Sequence, residues 1–386
     1  MDYQLSPREM KFQQVIAAFC QTEIAPRAKM LDSCSRTDAC TYMKENLELL
    51  AKGGCLKAGH TETGLDLVEH YLAGEEIAKA CPATFLSARA SAFLCAGALK
   101  LFGTQEQKER YIPAILKAVQ VGAFAYSEEQ AGTDMAAIAA VARSDSGKWV
   151  LSGKKNIVMN APIADLFIVL AYTDKNAGPE GGMGLFIIEK GAEGLKIAEY
   201  VETMGMRGVP ITAVTMDNCT AAGILGDVPG RGFEQTNRIL TMGAVGVAAL
   251  CVGIGTACMG VSTNHAKERT AFGRRIGMYQ DVGFKLADMF AFNDLGRMLA
   301  LRAAWAINSS EHGAEVLAAC AKLFTSESVT KIANWGMQIF AGHGYLAGCN
   351  MERLYRDAKF GEICEGTSEI QRALISRTEL DRFVQP

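Results

Sequence analysis

Up to about residue 120, apolar positions recur at the three-and-four spacing of helices. Met10, Phe12, Val15, Ile16 and Phe19 mark one face, and Ser6-Pro7-Arg8-Glu9 before them supplies a capping serine, a first-turn proline and a glutamate that can reach back. Gly53-Gly54 interrupts after Leu49-Leu50. Asp66 to Ala80 and the alanine-rich Thr84 to Leu101 read as further helices, and Thr104-Gln105-Glu106-Gln107 repeats the capping pattern. Near Gly122 the period shortens. Strands are predicted at Ile138–Arg143, Trp149–Ser152, Leu166–Tyr172, Gly184–Glu189, Leu195–Val201 and Thr212–Met216, with a hairpin turn at Ser144-Asp145-Ser146-Gly147. From Phe233 helical spacing returns and persists. Helices, then strands, then helices is not the alternation of a doubly wound parallel sheet.

One segment stands apart. Ile239 to Val261 carries no charge and is long enough to cross a bilayer. It is the only such run seen in the sequence. Its five glycines and missing aromatic belt favour a helix buried in a large protein instead. The N-terminal stretch lacks the basic and apolar regions of a signal peptide, so the expected location is cytoplasmic. A net charge of −3 offers no basic field for nucleic acid. The twelve cysteines show no C-x-x-C and the five histidines no metal-binding spacing. No metal site and buried free thiols are therefore expected.

The chemistry concentrates near the C-terminus. In Arg356-Asp357-Ala358-Lys359-Phe360-Gly361-Glu362-Ile363-Cys364-Glu365-Gly366-Thr367-Ser368-Glu369-Ile370-Gln371-Arg372, Thr367 or Ser368 can cap a new helix. Glu365 then falls on the turn before it, where a side chain can project into a cleft. A glutamate in a loop is more often simply solvated. This segment, however, resembles the C-terminal signature of the acyl-CoA dehydrogenase family. Four other stretches match that family in order. Tyr126-Ser127-Glu128-Glu129-Gln130-Ala131-Gly132-Thr133-Asp134 resembles its flavin loop. Glu268-Arg269-Thr270-Ala271-Phe272-Gly273 with Gln280 resembles its R-x-x-F-G…Q stretch, and Gln338 to Tyr345 its Q-x-x-G-G-x-G-Y segment. Met206-Arg207-Gly208, Gly226 and Gly232-Phe233 fall where the family has R-G-S and L-G…G-x-G-F.

The resemblance implies an α+β multidomain fold: an N-terminal α-helical domain (1–121), a middle β-barrel-like domain (122–228) and a C-terminal four-helix bundle (229–386). It implies an oxidoreductase of fatty-acid-type metabolism that converts an acyl-CoA to the α,β-enoyl-CoA with FAD. Glu365 would take the α-proton and flavin N5 the β-hydride. A carboxylate in a dry pocket is a strengthened base, because burial disfavours its charge. Tyr126, Ser127, Gly132, Thr133, Ile157 and Met159 would lie along the isoalloxazine. Arg269, Phe272 and Gln280, with Gln338 and Gly342 of a neighbouring subunit, would hold the adenine and pyrophosphate, with Thr367 and Glu369 beside them. Arg89, Thr133, Glu234, Thr236, Asn237, Arg238, Tyr345 and Gly366 would line the acyl-CoA site. A homotetramer and an electron-transfer flavoprotein as partner are also implied.

Two departures qualify this. Where the family commonly shows W-I-T-N, the chain has Ile157-Val158-Met159-Asn160. This puts the electron acceptor in question and leaves open a relative using oxygen or another acceptor. The family's CoA-binding D-x-x-R reads Glu234 and Asn237, with Arg238 one place late, and one residue turns a helix face by about 100°. Thr236 stands where one branch of the family places an alternative base, so Glu365 is the only one. A non-enzymatic acyl-CoA-binding member is a further alternative. The helix Thr84–Leu101 aligns with the acyl-cavity wall and is mostly small, which would suit a bulky, branched or cyclic acyl group; a short acyl group is a further expectation. Arg89, its one charge before Lys100, either points to solvent or coenzyme, or pairs with a carboxylate-bearing acyl group.

Overall fold

The computed structural model describes residues 4–384, with side chains to residue 381; the first three residues of the N-terminal stretch lie outside it. The capping signals act as their chemistry suggests. Ser6 and Thr104 both form reciprocal capping boxes, with Glu9 and Gln107, at the starts of Pro7–Phe19 and Gln105–Leu116. Asp66 caps Leu67–Ala80 by accepting from the N–H groups of Val68 and Glu69. The helix Arg36–Lys52 stops at Gly53, and Gly54 turns the chain with φ +75°.

Eight strands form the main sheet, and a separate antiparallel pair joins Thr270–Ala271 to Arg274–Arg275. The eight are β1 (Gly122–Ala125), β2 (Val141–Asp145), β3 (Lys148–Met159), β4 (Leu166–Tyr172), β5 (Met183–Glu189), β6 (Leu195–Ile197), β7 (Ile211–Thr220) and β8 (Gly223–Ile224). Their order is β6-β7-β3-β2-β4-β5-β8, with β1 parallel to β4. Ser146 and Gly147, both at positive φ, make the two-residue β2–β3 turn. β3 runs seven residues past the predicted Ser152. Its polar residues there face β7 across a bulge at Lys155–Val158, which masks the alternation. The predicted start at Ile138 is three residues early: Met135–Ala137 forms a 3₁₀ turn, and β2 begins only at Val141. β1 escaped prediction because its four residues are buried on both faces and show no alternation.

The C-terminal helices are Gly232–Glu268, Gln280–Asn308, Ala314–Phe340, Asn350–Ala358, Phe360–Ile363 and Ser368–Val384. Gly232–Glu268 contains the uncharged run, and its core face is buried against Leu67–Ala80 and the neighbouring helices. Gly253 lets the backbone of Leu67–Ala80 come close: a Cβ there would lie 2.6 Å from the Glu75 carbonyl oxygen. The expectation that this run is the only one of its kind does not hold. Pro82–Phe102 is also long and apolar enough to cross a membrane, despite Arg89 and Lys100. Within the apolar window of each, 83% (Pro82–Phe102) and 72% (Gly232–Glu268) is buried inside the protein, as in core helices.

Candidate active site

Glu365 lies on the turn between Phe360–Ile363 and Ser368–Val384, and it is not solvated: only 8% of it is exposed. Its backbone is left-handed (φ +49°) and is followed by Gly366 at φ +92°. A non-glycine residue there is strained and needs surrounding contacts to hold it. Lys322 supplies them. Fully buried on Ala314–Phe340, its Nζ donates to the carbonyls of Gly366 (2.7 Å) and Glu362 (3.3 Å), which flank Glu365. Gln371 Nε2 donates to the same Gly366 carbonyl (3.3 Å). Among the described residues Lys322 has no ion-pair partner, so these carbonyls carry the cost of burying its charge. Lys322→Met is expected to lower kcat at least about tenfold with FAD content unchanged, one charge-assisted hydrogen bond being worth roughly 1.5–3 kcal/mol. Absorbance-based FAD stoichiometry beside steady-state kinetics checks this.

Arg89 faces Glu365. Pro82–Phe102 widens into π-type turns over Arg89–Cys95, a feature frequent at functional sites. Arg89 is 2% exposed, which excludes the solvent-directed reading. Its Nη1 and Nη2 donate to Glu365 Oε1 and Oε2 in a two-point ion pair, and Nη2 also donates to the Gly243 carbonyl at 2.8 Å. Burial opposes the guanidinium's charge, but the attraction of the Glu365 carboxylate outweighs it, so Arg89 holds its proton more tightly than usual. Tyr126 stands in the same electrostatic neighbourhood; burial first, then the Glu365 charge, pushes its hydroxyl up. Gly243 makes room for the pair: a Cβ there would sit 2.6 Å from both Arg89 Nη2 and Glu365 Oε2. Gly243→Ala is expected to separate the pair and lower kcat/KM at least about tenfold, by the same hydrogen-bond magnitude; kinetics alongside the circular dichroism spectrum checks this.

The Tyr126–Asp134 loop is anchored by a pair the sequence reading missed. Buried Lys155 donates to Glu128 Oε1 (2.7 Å) and to the Tyr126 carbonyl (3.0 Å). Burial pulls its ammonium down to about 8 against the attraction of Glu128. Glu128 also accepts from the N–H groups of Ala139 (2.6 Å) and Ala140 (3.0 Å). Gly132 and Thr133 are exposed at the loop's outer side, and Ser127 is half-buried. At the end of β3, Ile157 bulges out at φ +53° and is 69% exposed, while Met159 is half-buried. Asn160 locks this edge to the Arg89 helix through Nδ2 to the Ser87 carbonyl (2.9 Å) and Oδ1 from Ser87 Oγ (2.5 Å).

The first turns of Gly232–Glu268 divide by face. Thr236 is buried and donates to the Gly232 carbonyl (2.7 Å). Glu234, Asn237 and Arg238 are exposed, and Arg231 holds Glu234 at 2.9 and 3.0 Å. Arg238 thus shares the outer face with Glu234 despite its shift by one place. Arg269 and Gly342 line one surface groove of a single chain, walled by His265 stacked on Phe340. Gln280 and Gln338 are exposed, and Phe272 (97% exposed) and Tyr345 (86%) project outward. Thr367 and Glu369 meet at the start of the last helix: Glu369's own N–H and then the Thr367 hydroxyl hold its carboxyl below the usual range.

These features fit a flavin cofactor. An arginine beside an open glycine suits a pyrophosphate, and the Tyr126–Asp134 loop, anchored by Lys155, stands near Glu365. The family models for the acyl-CoA dehydrogenase N-terminal, middle and C-terminal domains match residues 6–118, 123–219 and 230–380. A probable acyl-CoA dehydrogenase of Bacillus subtilis is 36% identical over 98% of this chain and 99% of its own. The butyryl-CoA dehydrogenase of Megasphaera elsdenii is 30% identical with TM-score 0.90, covering 98% of this chain and all of that one. A glutaryl-CoA dehydrogenase solved with glutaryl-CoA is 29% identical with TM-score 0.92, covering 99% and 97%. The chain belongs to the acyl-CoA dehydrogenase family and is an oxidoreductase with FAD as its cofactor.

Proposed function

We propose that this enzyme oxidises a short acyl-CoA carrying a carboxylate at the far end of its acyl group, giving the α,β-enoyl-CoA. The observation that carries this is the buried Arg89 guanidinium lying against Glu365. FAD, when bound, supplies the acceptor for the β-hydride. Glu365 removes the α-proton, so the C–H electron pair becomes the new double bond as the hydride leaves the β-carbon. Its two oxygens are both engaged by Arg89 before substrate arrives. A substrate carboxylate competes for that guanidinium and frees an oxygen to face the α-carbon. The glutaryl-CoA dehydrogenase complex among the relatives supports a dicarboxylyl substrate, and the butyryl-CoA enzyme supports a short one.

FAD is held by Tyr126, Ser127, Gly132, Thr133, Ile157 and Met159 along the ring, and toward the adenine by Arg269, Phe272 and Gln280, with Gln338 and Gly342 contributed by a neighbouring subunit and Thr367 and Glu369 beside them. Thr133, Glu234, Thr236, Asn237, Arg238, Tyr345 and Gly366 border the acyl-CoA. Phe284, Phe290 and Leu295 on Gln280–Asn308 are more than half exposed, and a homotetramer accounts for that apolar face. Its electron acceptor is an electron-transfer flavoprotein, and its place the cytoplasm. Anaerobic titration with glutaryl-, succinyl-, butyryl- and isobutyryl-CoA, followed by flavin bleaching, tests the reading. Bleaching by the dicarboxylyl thioesters at the lowest concentration is expected; a flavin that none of them bleaches contradicts it.

A further inference from the structure

Behind Arg89, on the side away from Glu365, lies a cavity of about 20 Å³, room for one water-sized group. Its walls are mostly apolar, from residues such as Ile77, Phe85 and Phe93, yet three buried polar atoms on its lining residues have no partner: Arg89 Nε, His60 Nδ1 and His70 Nε2. Buried polar atoms are nearly always hydrogen-bonded, so three unpaired around one cavity mark a ligand position. The long helix passes here without a side chain. A Cβ on Gly246 would lie 2.4 Å from Arg89 Nε and 3.0 Å from His70 Nε2. The His70 ring is fixed by stacking on Phe93 at 4.1 Å, and the Arg89 guanidinium lies 5.7 Å from the same ring.

The donor and acceptor roles define the occupant. Arg89 Nε–H can only donate. His60 Nε2 lies 2.8 Å from the Ala92 carbonyl, which can only accept, so the proton sits on Nε2. Burial keeps the imidazole neutral by pulling its pKa down to about 4, and Nδ1 is therefore an acceptor. A carboxylate could not satisfy that nitrogen, and an ammonium could not satisfy the guanidinium. An O–H group, which donates and accepts at once, satisfies both.

We propose that this chamber binds one water molecule, which accepts from Arg89 Nε and donates to His60 Nδ1, with His70 completing its shell. His60 and His70 are then positioning residues: through the water they fix the rotation of the guanidinium and keep its two Nη groups aimed at the site of Glu365. This rests on the reading of Arg89 as the receptor for the acyl carboxylate.

Two measurements test it. A holoenzyme crystal structure at a resolution that shows ordered solvent is expected to reveal one water within hydrogen-bond reach of Arg89 Nε and His60 Nδ1; clear absence of density there overturns the site whatever the substrate. His60→Leu removes the acceptor, and His60→Gln keeps one. With FAD content matched, His60→Leu is expected to lower kcat/KM for glutaryl-CoA about tenfold more than for butyryl-CoA, with His60→Gln restoring most of the difference, about one hydrogen bond's worth. Equal losses on both thioesters overturn the positioning role while leaving the substrate reading intact. If His60→Leu does not fold, the same comparison on His60→Gln and wild type, beside the solvent density, decides.

Discussion

Glu365→Gln is expected to lower turnover by about 10²–10⁴-fold, the usual worth of a positioned proton acceptor. The amide keeps the size of the side chain and can still accept from Arg89, so folding and FAD binding should survive. It cannot take the α-proton. The loss should therefore appear in kcat and kcat/KM alike, with little change in substrate affinity. Thr236 cannot stand in, because it is buried and its hydroxyl is committed to the Gly232 carbonyl. Flavin bleaching in a stopped-flow instrument checks this directly. A Glu365→Gln enzyme that bleaches at the wild-type rate would remove Glu365 from the role of base.

Arg89→Met should produce the second large effect, and on two readouts. On a dicarboxylyl-CoA, kcat/KM should fall by roughly 10–100-fold, the worth of a charge-assisted hydrogen bond of about 1.5–3 kcal/mol. On butyryl-CoA it should fall less or rise, because Glu365 is no longer engaged before substrate binds. Stability should drop as well. Removing one partner of a buried ion pair leaves the other uncompensated, at a cost of about 3–5 kcal/mol. The double variant Arg89→Met/Glu365→Gln should then be more stable than the sum of the two single losses, since the stranded charge is gone. Chemical denaturation of the four proteins measures the cycle. If Arg89→Met leaves kcat/KM unchanged on every dicarboxylyl-CoA, the carboxylate reading of the substrate fails.

Much of the architecture was legible because it rests on local rules. Capping boxes at Ser6 and Thr104, the Ser146-Gly147 turn and the helix–strand–helix partition all come from short-range chemistry. Glu365 was found through its motif, and its position on a turn before a helix followed from Thr367 and Ser368. What the sequence hid is contact between distant segments. Nothing near Arg89 indicates that residue 365, on another helix pair, will engage it. Lys322 reads as one polar residue on an amphipathic helix, and only the fold shows it buried beneath the Glu365 turn. Lys155 and Glu128 are separated by a hairpin, and His60 and His70 by a helix start. The helix read over Thr84–Leu101 does not stand out as a second membrane-length apolar segment because Arg89 and Lys100 break its charge-free run, although both are accommodated in the fold.

Removal of the α-proton of an acyl thioester by the Glu365 carboxylate is the step on which the proposed function turns. Solvent exchange reads that step alone. The holoenzyme can be incubated anaerobically in D₂O with glutaryl-CoA and with butyryl-CoA, and deuterium at the α-carbon followed by mass spectrometry. Wild type is expected to exchange α-hydrogens, faster with glutaryl-CoA, and Glu365→Gln to exchange them at least about 10²-fold more slowly. Deuterium entering at the same rate in both proteins would contradict the claim.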